Sequence, residues 1–563
     1  MKTTRRKTFG LLALIMMTAW VVVSCQEEPQ PGQGDESGRS QPVKLEVGGP
    51  GREDDQPIQS NFGENGGGKE GAKTQATKKL TKRGVDFEES SLNSIENNRH
   101  KSPEKEGQDH QAKLIARVRN KLNLKGYINP KLSVKTPAGG ERGIFAEEDV
   151  QKDEILGKVH LSDIIIQSQA RPSCEEELKS IRDDLYYYSR IKFIIFLYEE
   201  MEKGESSKWS CDFKTLPKSY SNIGILLDSK KYERYLRNTS FSQIIADEKH
   251  FILKEFKRVQ GLGINHLFGL TEQRFLEIYC LINSRIFGVT IKGQYERALV
   301  PYLDFINHES KVWKNFWSFD NKTDSFVLKS NQAQNKGDEI TINYGNSKSN
   351  FKMLELYGFV VENHQKRIRV NFVEGLTQSD DLYEAKLKLF PSLKGEKSSY
   401  SIDNLFTSSE FFGYLSFLRF KLIEKEENLK KVEAKKEKLN NRTISVYRLK
   451  PLSRANELKV LDYFQRAAKA RQARYNTTLE QDQSSLEEGD YIDINEKSIL
   501  TVRIEERLML QEVLLFCEDM KGLFEDRVEK SEEEIKQVLK QEGFKKYTKY
   551  FKGIQIAKFL FEN

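Results

Sequence analysis

The chain has 563 residues, of which 37% are hydrophobic and 31% are charged, and its length predicts about three or four folded units. The net charge of +7 is small for this length and does not indicate a dedicated nucleic-acid-binding protein, although it leaves room for local basic patches. The five cysteines are too far apart for a disulfide scaffold or a Cys-x-x-Cys zinc motif, and no His-Glu-x-x-His motif is present. The sequence therefore predicts no metal.

The N-terminus has the pattern of a targeting segment. Basic residues precede an apolar run at 9–23, which ends in Ser24 and Cys25. This run is shorter than the ~20 residues of a membrane span. Residues 1–25 therefore predict a secretory signal or a membrane anchor, and the residues before Cys25 resemble a bacterial lipoprotein cleavage site. The alternative is a wrongly assigned start codon, with the protein in the cytoplasm or nucleus.

Residues 26–110 are rich in Gly, Gln, Glu, Asp, Ser and Lys, and this composition predicts a disordered linker. Helical spacing of Ile115, Val118 and Leu122 marks the start of the folded part. Residues 173–282 have helical patterns, whereas residues 298–360 have the pattern of short strands and turns. Helical patterns return from about residue 400. The chain is therefore predicted to be an α+β protein with a helical insertion and an all-helical C-terminal region.

Four short motifs follow one another along the chain and together carry the resemblance to a known family. They are 142–146 (Arg-Gly-Ile-Phe-Ala), 283–287 (Asn-Ser-Arg-Ile-Phe), 301–308 (Pro-Tyr-Leu-Asp-Phe-Ile-Asn-His) and 336–345 (Lys-Gly-Asp-Glu-Ile-Thr-Ile-Asn-Tyr-Gly), the last continued by 349–350 (Ser-Asn) and 356–360 (Leu-Tyr-Gly-Phe-Val). Together they resemble a SET domain. Segments 203–209 with 216–219, and 475–482 with 496–500, are similar to the Rubisco large-subunit lysine methyltransferase class. This resemblance implies small SET β-sheets at 111–375, with the helical insertion at about 173–282, and a helical substrate-binding domain at 376–563.

The resemblance also implies an activity and a set of site residues. SET domains are protein methyltransferases that use S-adenosyl-L-methionine. Tyr344 would be the catalytic residue that orients the acceptor amine. The residues expected to bind the cofactor are Gly140, Arg142, Arg285, Asn307 and His308, with Arg285 on the carboxylate and His308 without an acid–base role. The residues expected to line the substrate channel are Phe287, Leu303 and Tyr357.

The acceptor is predicted from two wall positions. The actin-histidine branch of this class has Asn two residues after the clamp arginine and Trp just before the Asp of the Asn-His motif. This chain has Phe287 and Leu303 there. An apolar wall suits the aliphatic stem of lysine and helps to keep its amine neutral. The sequence thus predicts a protein-lysine N-methyltransferase acting on a non-histone protein. A protein-histidine methyltransferase and a weakly catalytic SET pseudoenzyme that binds a protein partner are the alternatives.

Overall fold

The computed structural model describes residues 103–551, with gaps at 139, 183–184, 313–315, 346–347, 363–368, 404–405, 407, 439–448, 527–533, 535–536, 538, 546 and 549. The signal-like segment 1–25 and most of the predicted linker lie outside the described residues. The helices are α1 (Pro103–Leu122), α2 (Glu175–Leu178), α3 (Leu185–Glu202), α4 (Ser210–Thr215), α5 (Glu233–Leu236), α6 (Ser240–Gln260), α7 (Glu272–Arg285), α8 (Asn350–Tyr357), α9 (Tyr383–Leu389), α10 (Ser409–Lys421), α11 (Glu426–Lys438), α12 (Arg454–Gln472), α13 (Leu479–Glu488), α14 (Ile494–Asp526) and α15 (Glu542–Lys545). The strands are β1 (Tyr127–Ile128), β2 (Leu132–Lys135), β3 (Gly143–Ala146), β4 (Ile155–His160), β5 (Ile165–Ile166), β6 (Ile286–Ile291), β7 (Gln294–Leu299), β8 (Asn307–His308), β9 (Trp317–Asp320), β10 (Ser325–Lys329), β11 (Glu339–Ile342), β12 (Arg369–Gly375) and β13 (Lys397–Asp403).

Three small sheets form the first half of the folded chain. Their strand orders are β1-β4-β10-β9, β2-β3-β11-β8 and β5-β7-β6. Strand β8 pairs in parallel with β11, so that Asn307 lies opposite Thr341 and His308 opposite Ile342. This pairing brings the Asn-His motif beside the strand that leads into Tyr344, although the two segments are separate in the sequence.

Helix α1 begins earlier than the predicted end of the linker at residue 110. It begins at Pro103, so residues 103–110 are helical rather than disordered. Leu114, Val118 and Leu122 are buried on this helix and fix it to the protein. The buried turns act as the nucleus of the helix. Extending a helix from an existing nucleus adds one hydrogen bond per residue, so residues 103–110 continue it.

The predicted helical insertion is present as helices α2 to α7. Ile191, Ile194, Ile195 and Tyr198 are all buried on α3, in agreement with the face predicted from their spacing. Their cluster includes residues of α6 and α7. Because α7 ends at Arg285, this packing sets the position of that arginine at the edge of the third sheet.

The C-terminal region is helical, as predicted, but it is not all-helical. Strand β12 pairs antiparallel with β13, which lies inside the region predicted to be helical. Val370 and Phe372 lie opposite Ile402 and Tyr400, and all four are buried in the C-terminal core. This alternation of buried residues is the period of a strand. Strand β12 therefore packs with the C-terminal domain, although the predicted boundary at residue 375 places it in the SET domain.

Buried charges join the insertion to the C-terminal domain. Arg503 of α14 donates to Asp482 of α13 at 2.8 Å, and both side chains are fully buried. The guanidinium of Arg503 also donates to the backbone oxygen atoms of Arg234 and Tyr235 in α5. Each of these two buried charges has a partner, whereas an unpaired buried charge would destabilise the fold. Among the described residues, no helix has the length and apolar character that crossing a membrane would need.

Candidate active site

Tyr344 follows β11 and is held at both its hydroxyl and its backbone. The hydroxyl donates to the carbonyl oxygen of Ile306 at 2.8 Å, and the backbone N–H donates to Nδ1 of His308 at 3.0 Å. Burial raises the pKa of the Tyr344 hydroxyl well above its usual value, while the positive charge of Arg285 opposes that rise. The phenol therefore keeps its proton at neutral pH and acts as a hydrogen-bond donor.

His308 contacts the backbone of Tyr344 through its ring. Because Nδ1 accepts from the backbone of Tyr344, the neutral ring carries its proton on Nε2, which lies 3.1 Å from the hydroxyl of Ser310. The tautomer is assigned from these contacts. That His308 has no acid–base role stays a prediction.

Aromatic rings surround Tyr344. Its ring lies 4.8 Å from that of Tyr357, 5.3 Å from that of His308 and 6.4 Å from that of Phe359. Tyr357 ends α8, and the left-handed Gly358 (φ 82°) turns the chain towards Phe359. Tyr344 and Tyr357, two of the predicted site residues, thus share one aromatic wall.

Lys348 is a neighbour of this wall that the sequence analysis did not identify. Its ammonium group contacts the carbonyl oxygen of Tyr344 and lies 6.0 Å from the centre of the Tyr357 ring. The sequence position of Lys348, between the Tyr-Gly and Ser-Asn segments, could have indicated that it lies near the site. A positive charge here faces any group that approaches the two tyrosines.

Arg285 is buried and paired with Asp304. Its Nη1 donates to the backbone oxygen of Asp304 at 2.8 Å and to Oδ2 at 3.1 Å. Burial would lower the pKa of Arg285, but the charge of Asp304 and the nearby Tyr220 and Tyr344 outweigh it and hold the pKa above its usual value. Asp304 was not among the predicted site residues, although it lies within the 301–308 motif. The predicted clamp is therefore already fixed by one carboxylate.

Arg142 is a second guanidinium in this region. It donates to the carbonyl oxygen of Thr215 at 2.8 Å, and its carbon lies 4.3 Å from the centre of the Phe305 ring. Burial and the charge of Arg285 both lower the pKa of Arg142, and Asp304 opposes them. Arg142 and Arg285, both partly buried, thus lie close enough to repel each other, and Asp304 offsets part of this repulsion.

The side chain of Asn307 ties the glycine-rich turn to β11. Its Nδ2 donates to Oε1 of Glu339 at 2.7 Å and to the backbone oxygen of Arg142 at 3.1 Å. A Cβ at Gly143 would lie only 2.2 Å from that same Glu339 oxygen, so any other residue here would push the Glu339 carboxylate away from its present position. Gly140 lies on the exposed outer part of the turn, where its N–H donates to the carbonyl of Pro137.

The two residues predicted to form the acceptor wall lie in the core of the SET region. Phe287 packs edge-to-face against Trp317 at 5.5 Å and Phe326 at 5.3 Å, and only 7% of it is exposed. Leu303 is fully buried and packs against Gly157. Tyr344 packs against the same hydrophobic cluster. The structure thus places both residues behind the site, and their contact with an acceptor stays a prediction.

Family profiles match the two halves of the folded chain. The SET domain matches residues 141–345, and the Rubisco LSMT substrate-binding domain matches residues 377–510. The chain belongs to the SET-domain methyltransferases of the Rubisco LSMT type. The predicted family and fold class are therefore confirmed.

Several curated enzymes are similar in sequence to this chain. The chain is 25% identical to the [fructose-bisphosphate aldolase]-lysine N-methyltransferase of Arabidopsis thaliana, over 57% of this chain and 67% of that enzyme. It is 24% identical to the Rubisco large subunit N-methyltransferase of Nicotiana tabacum, over 70% and 79%. It is also 23% identical to the human actin-histidine N-methyltransferase, over 66% and 63%.

A solved structure shares the fold. The SET domain of LSMT bound to lysine and AdoHcy superposes with a TM-score of 0.61 at 21% identity, and the match covers 78% of this chain and 96% of that one. Methyltransferases of this type use S-adenosylmethionine.

The residues around Arg285 fit such a cofactor. The Nε atom of Arg285 is buried and makes no hydrogen bond to any described residue. A buried donor without a partner is costly, and a ligand carboxylate at this atom would satisfy it through a charge-assisted bond. The positive charge of Arg142, which acts on Arg285, favours the same ligand group.

Proposed function

We propose that this chain is an S-adenosylmethionine-dependent protein-lysine N-methyltransferase that acts on a non-histone protein. The observation that carries the proposal is the arrangement around Tyr344. Its phenol is fixed on the carbonyl of Ile306, beside an aromatic wall and near the charge of Arg285. A preorganised polar group in surroundings that exclude water is what a transfer between two bound partners requires.

The cofactor-binding residues are proposed as Gly140, Arg142, Arg285, Asn307 and His308. Arg285 holds the cofactor carboxylate through its buried Nε, and Arg142 adds positive charge beside it. The other three shape the turn and the strand against which the cofactor lies. When bound, the cofactor supplies a methyl group on a positively charged sulfur.

The proposed role of Tyr344 is to position the acceptor amine. The amine must be neutral to attack, and a lysine with an ordinary pKa of about 10.4 has to lose a proton on entering the site. The rings of Tyr344, Tyr357 and Phe359 exclude water from the amine, and desolvation lowers its pKa. The Lys348 ammonium adds like charge that lowers it further.

Histidine is the second candidate acceptor, because actin-histidine methyltransferases are among the relatives. An imidazole acceptor needs a hydrogen-bond partner to fix one ring nitrogen. Phe287 provides none at the position predicted to face the acceptor, and the structure places it behind the site in an apolar cluster with Trp317 and Phe326. We propose lysine because the lysine-directed relative from Arabidopsis thaliana, at 25% identity, is slightly more similar to this chain than the actin-histidine enzymes at 23%.

The domain from residue 376 onwards is proposed to bind the substrate protein. This proposal rests on the match of residues 377–510 to the Rubisco LSMT substrate-binding domain. The buried pair of Arg503 and Asp482 fixes this domain against the insertion. A rigid connection of this kind would present the bound protein to the active site at a constant distance.

The experiment is a transfer assay with labelled S-adenosylmethionine on fractionated protein, followed by mass spectrometry of the modified residue. Methyl groups on lysine, lost in the Tyr344→Phe variant, are the expected result. Methyl groups on histidine would instead select the second acceptor. Cofactor binding without transfer to any protein fraction would favour a binding module over an enzyme.

A further inference from the structure

Three side chains that can bind a metal lie together in the helical insertion, outside the site around Tyr344. Cys174 immediately precedes α2, Glu199 lies on α3, and His266 lies in the turn before α7. The Cys174 sulfur lies 3.8 Å from Oε1 of Glu199, and Nε2 of His266 lies 2.8 Å from the same oxygen. All three ligand atoms are within 4.8 Å of one another.

Ser173 orients the carboxylate at the centre of this cluster. Its backbone N–H donates to Oε2 of Glu199 at 2.8 Å, and its hydroxyl donates to Oε1 at 2.7 Å. The same hydroxyl lies 3.1 Å from Nε2 of His266. Groups that orient ligands in this way are typical of metal sites, where they fix the ligand geometry.

We propose that Cys174, Glu199 and His266 bind a zinc ion. Sulfur, imidazole nitrogen and carboxylate oxygen together form a ligand set that zinc favours. With Zn–S near 2.3 Å and Zn–N near 2.0–2.1 Å, tetrahedral ligand atoms lie roughly 3.3–3.7 Å apart. Glu199 Oε1 lies 3.8 Å from the sulfur and 2.8 Å from the imidazole nitrogen, so side-chain movements of about 0.5–1 Å would bring the three atoms to that spacing.

One side of the cluster is buried and the other side is open to solvent. Cys174 is 2% exposed and Glu199 is mostly covered, whereas the His266 side chain is 44% exposed. The ion can therefore enter on the histidine side, and a water molecule can fill its fourth position. As the sulfur–zinc bond forms, the thiol proton of Cys174 is released to solvent.

A bound ion would connect three elements of the insertion. It would link the segment before α2, helix α3 and the turn that leads into α7. Because α7 ends at Arg285, zinc would stabilise the part of the fold that holds this arginine. The role of the ion is structural, because it lies in the insertion and not beside Tyr344.

Cobalt and zinc titrations of the full-length protein, after removal of metal with a chelator, test the proposal. One equivalent of Co²⁺ should give a thiolate-to-cobalt absorption band, and Zn²⁺ should displace it. Cys174→Ser should abolish the band, and His266→Ala should weaken zinc binding by roughly 100-fold or more. Cys211→Ser, at a half-buried cysteine outside the cluster, is the matched control and should keep both the band and the affinity.

Two results would overturn the proposal. The first is the absence of a thiolate band in folded wild-type protein at a cobalt excess. The second is zinc affinity that stays the same in His266→Ala, a substitution at a partly exposed position that keeps the core intact. The second result remains decisive if Cys174→Ser does not fold. Thermal unfolding with and without zinc gives an independent readout, with a higher Tm expected only in the proteins that retain the three ligands.

Discussion

The hydroxyl of Tyr344 donates a 2.8 Å hydrogen bond to the carbonyl oxygen of Ile306. This bond joins the end of β11 to the segment before the Asn-His motif, so two motifs hold one functional group. The backbone contact from Tyr344 to His308 strengthens the same connection. Two contacts within the protein therefore fix the position of the phenol.

Replacing Tyr344 with Phe should lower turnover by roughly 100-fold or more while leaving cofactor affinity nearly unchanged. The ring still packs among Tyr357, His308 and Phe359, whereas the positioned donor is lost. Single-turnover kinetics and calorimetric binding of the cofactor separate the two effects. Equal turnover in the variant and the wild type would mean that Tyr344 serves only in packing.

Arg285→Lys should weaken cofactor binding by about tenfold and change stability little. Lysine keeps the charge beside Asp304 but lacks the planar fork that presents a second donor to a carboxylate. Arg285→Ala is the harsher change, because it leaves the Asp304 carboxylate buried without its partner, at a cost of about 3–5 kcal/mol. Calorimetry and thermal melts of both variants test this, and unchanged affinity in folded Arg285→Lys would contradict the assignment.

Phe287→Asn should lower both stability and lysine transfer. The substitution buries an amide among Trp317 and Phe326 and removes two aromatic contacts, so a loss of about 3–5 kcal/mol is expected. Phe287→Leu is the control that keeps the site apolar and should retain most of the stability. Denaturant unfolding gives the stability, and activity per folded molecule gives the effect on the acceptor. An increase in lysine transfer by the asparagine variant would exclude the proposed apolar wall.

Glu505→Gln should stabilise the protein above neutral pH. Burial raises the pKa of Glu505 from 4.5 to about 8, and the hydrogen bond that Asn350 donates at 2.7 Å opposes the rise. The folded state thus favours the protonated form. Its contribution to stability is complete below pH 4.5 and is lost as the pH rises through about 8.

Glutamine keeps the acceptor for Asn350 and removes the charge, so the gain at pH 8.5 should be about 1–3 kcal/mol. The gain should vanish near pH 4.5. Melting curves across this pH range measure it, with the exposed Glu427→Gln as the control. A constant difference between the variant and the wild type at all pH values would refute the proposed titration.

Much of the architecture could be predicted because its signals are local. Motif order predicted the SET region, and apolar spacing predicted the insertion helices, whose buried faces the structure shows. The pairing of β12 with β13 was missed because helix α9 separates the two strands in the sequence. Its alternation of buried residues gains meaning only when Phe372 and Tyr400 are paired across the two strands.

The sequence alone determined which residue types could form an active site. Tyr344, Arg285 and the Asn-His pair were identified from their motifs, and the structure brings them into one region. Only the tertiary structure decided their partners: Asp304 binds Arg285, Glu339 binds Asn307, and Lys348 approaches the carbonyl of Tyr344. It also placed Phe287 and Leu303 in the core and brought Cys174 to His266. Contacts between side chains distant in sequence depend on how whole elements pack, and spacing along the chain does not specify that packing.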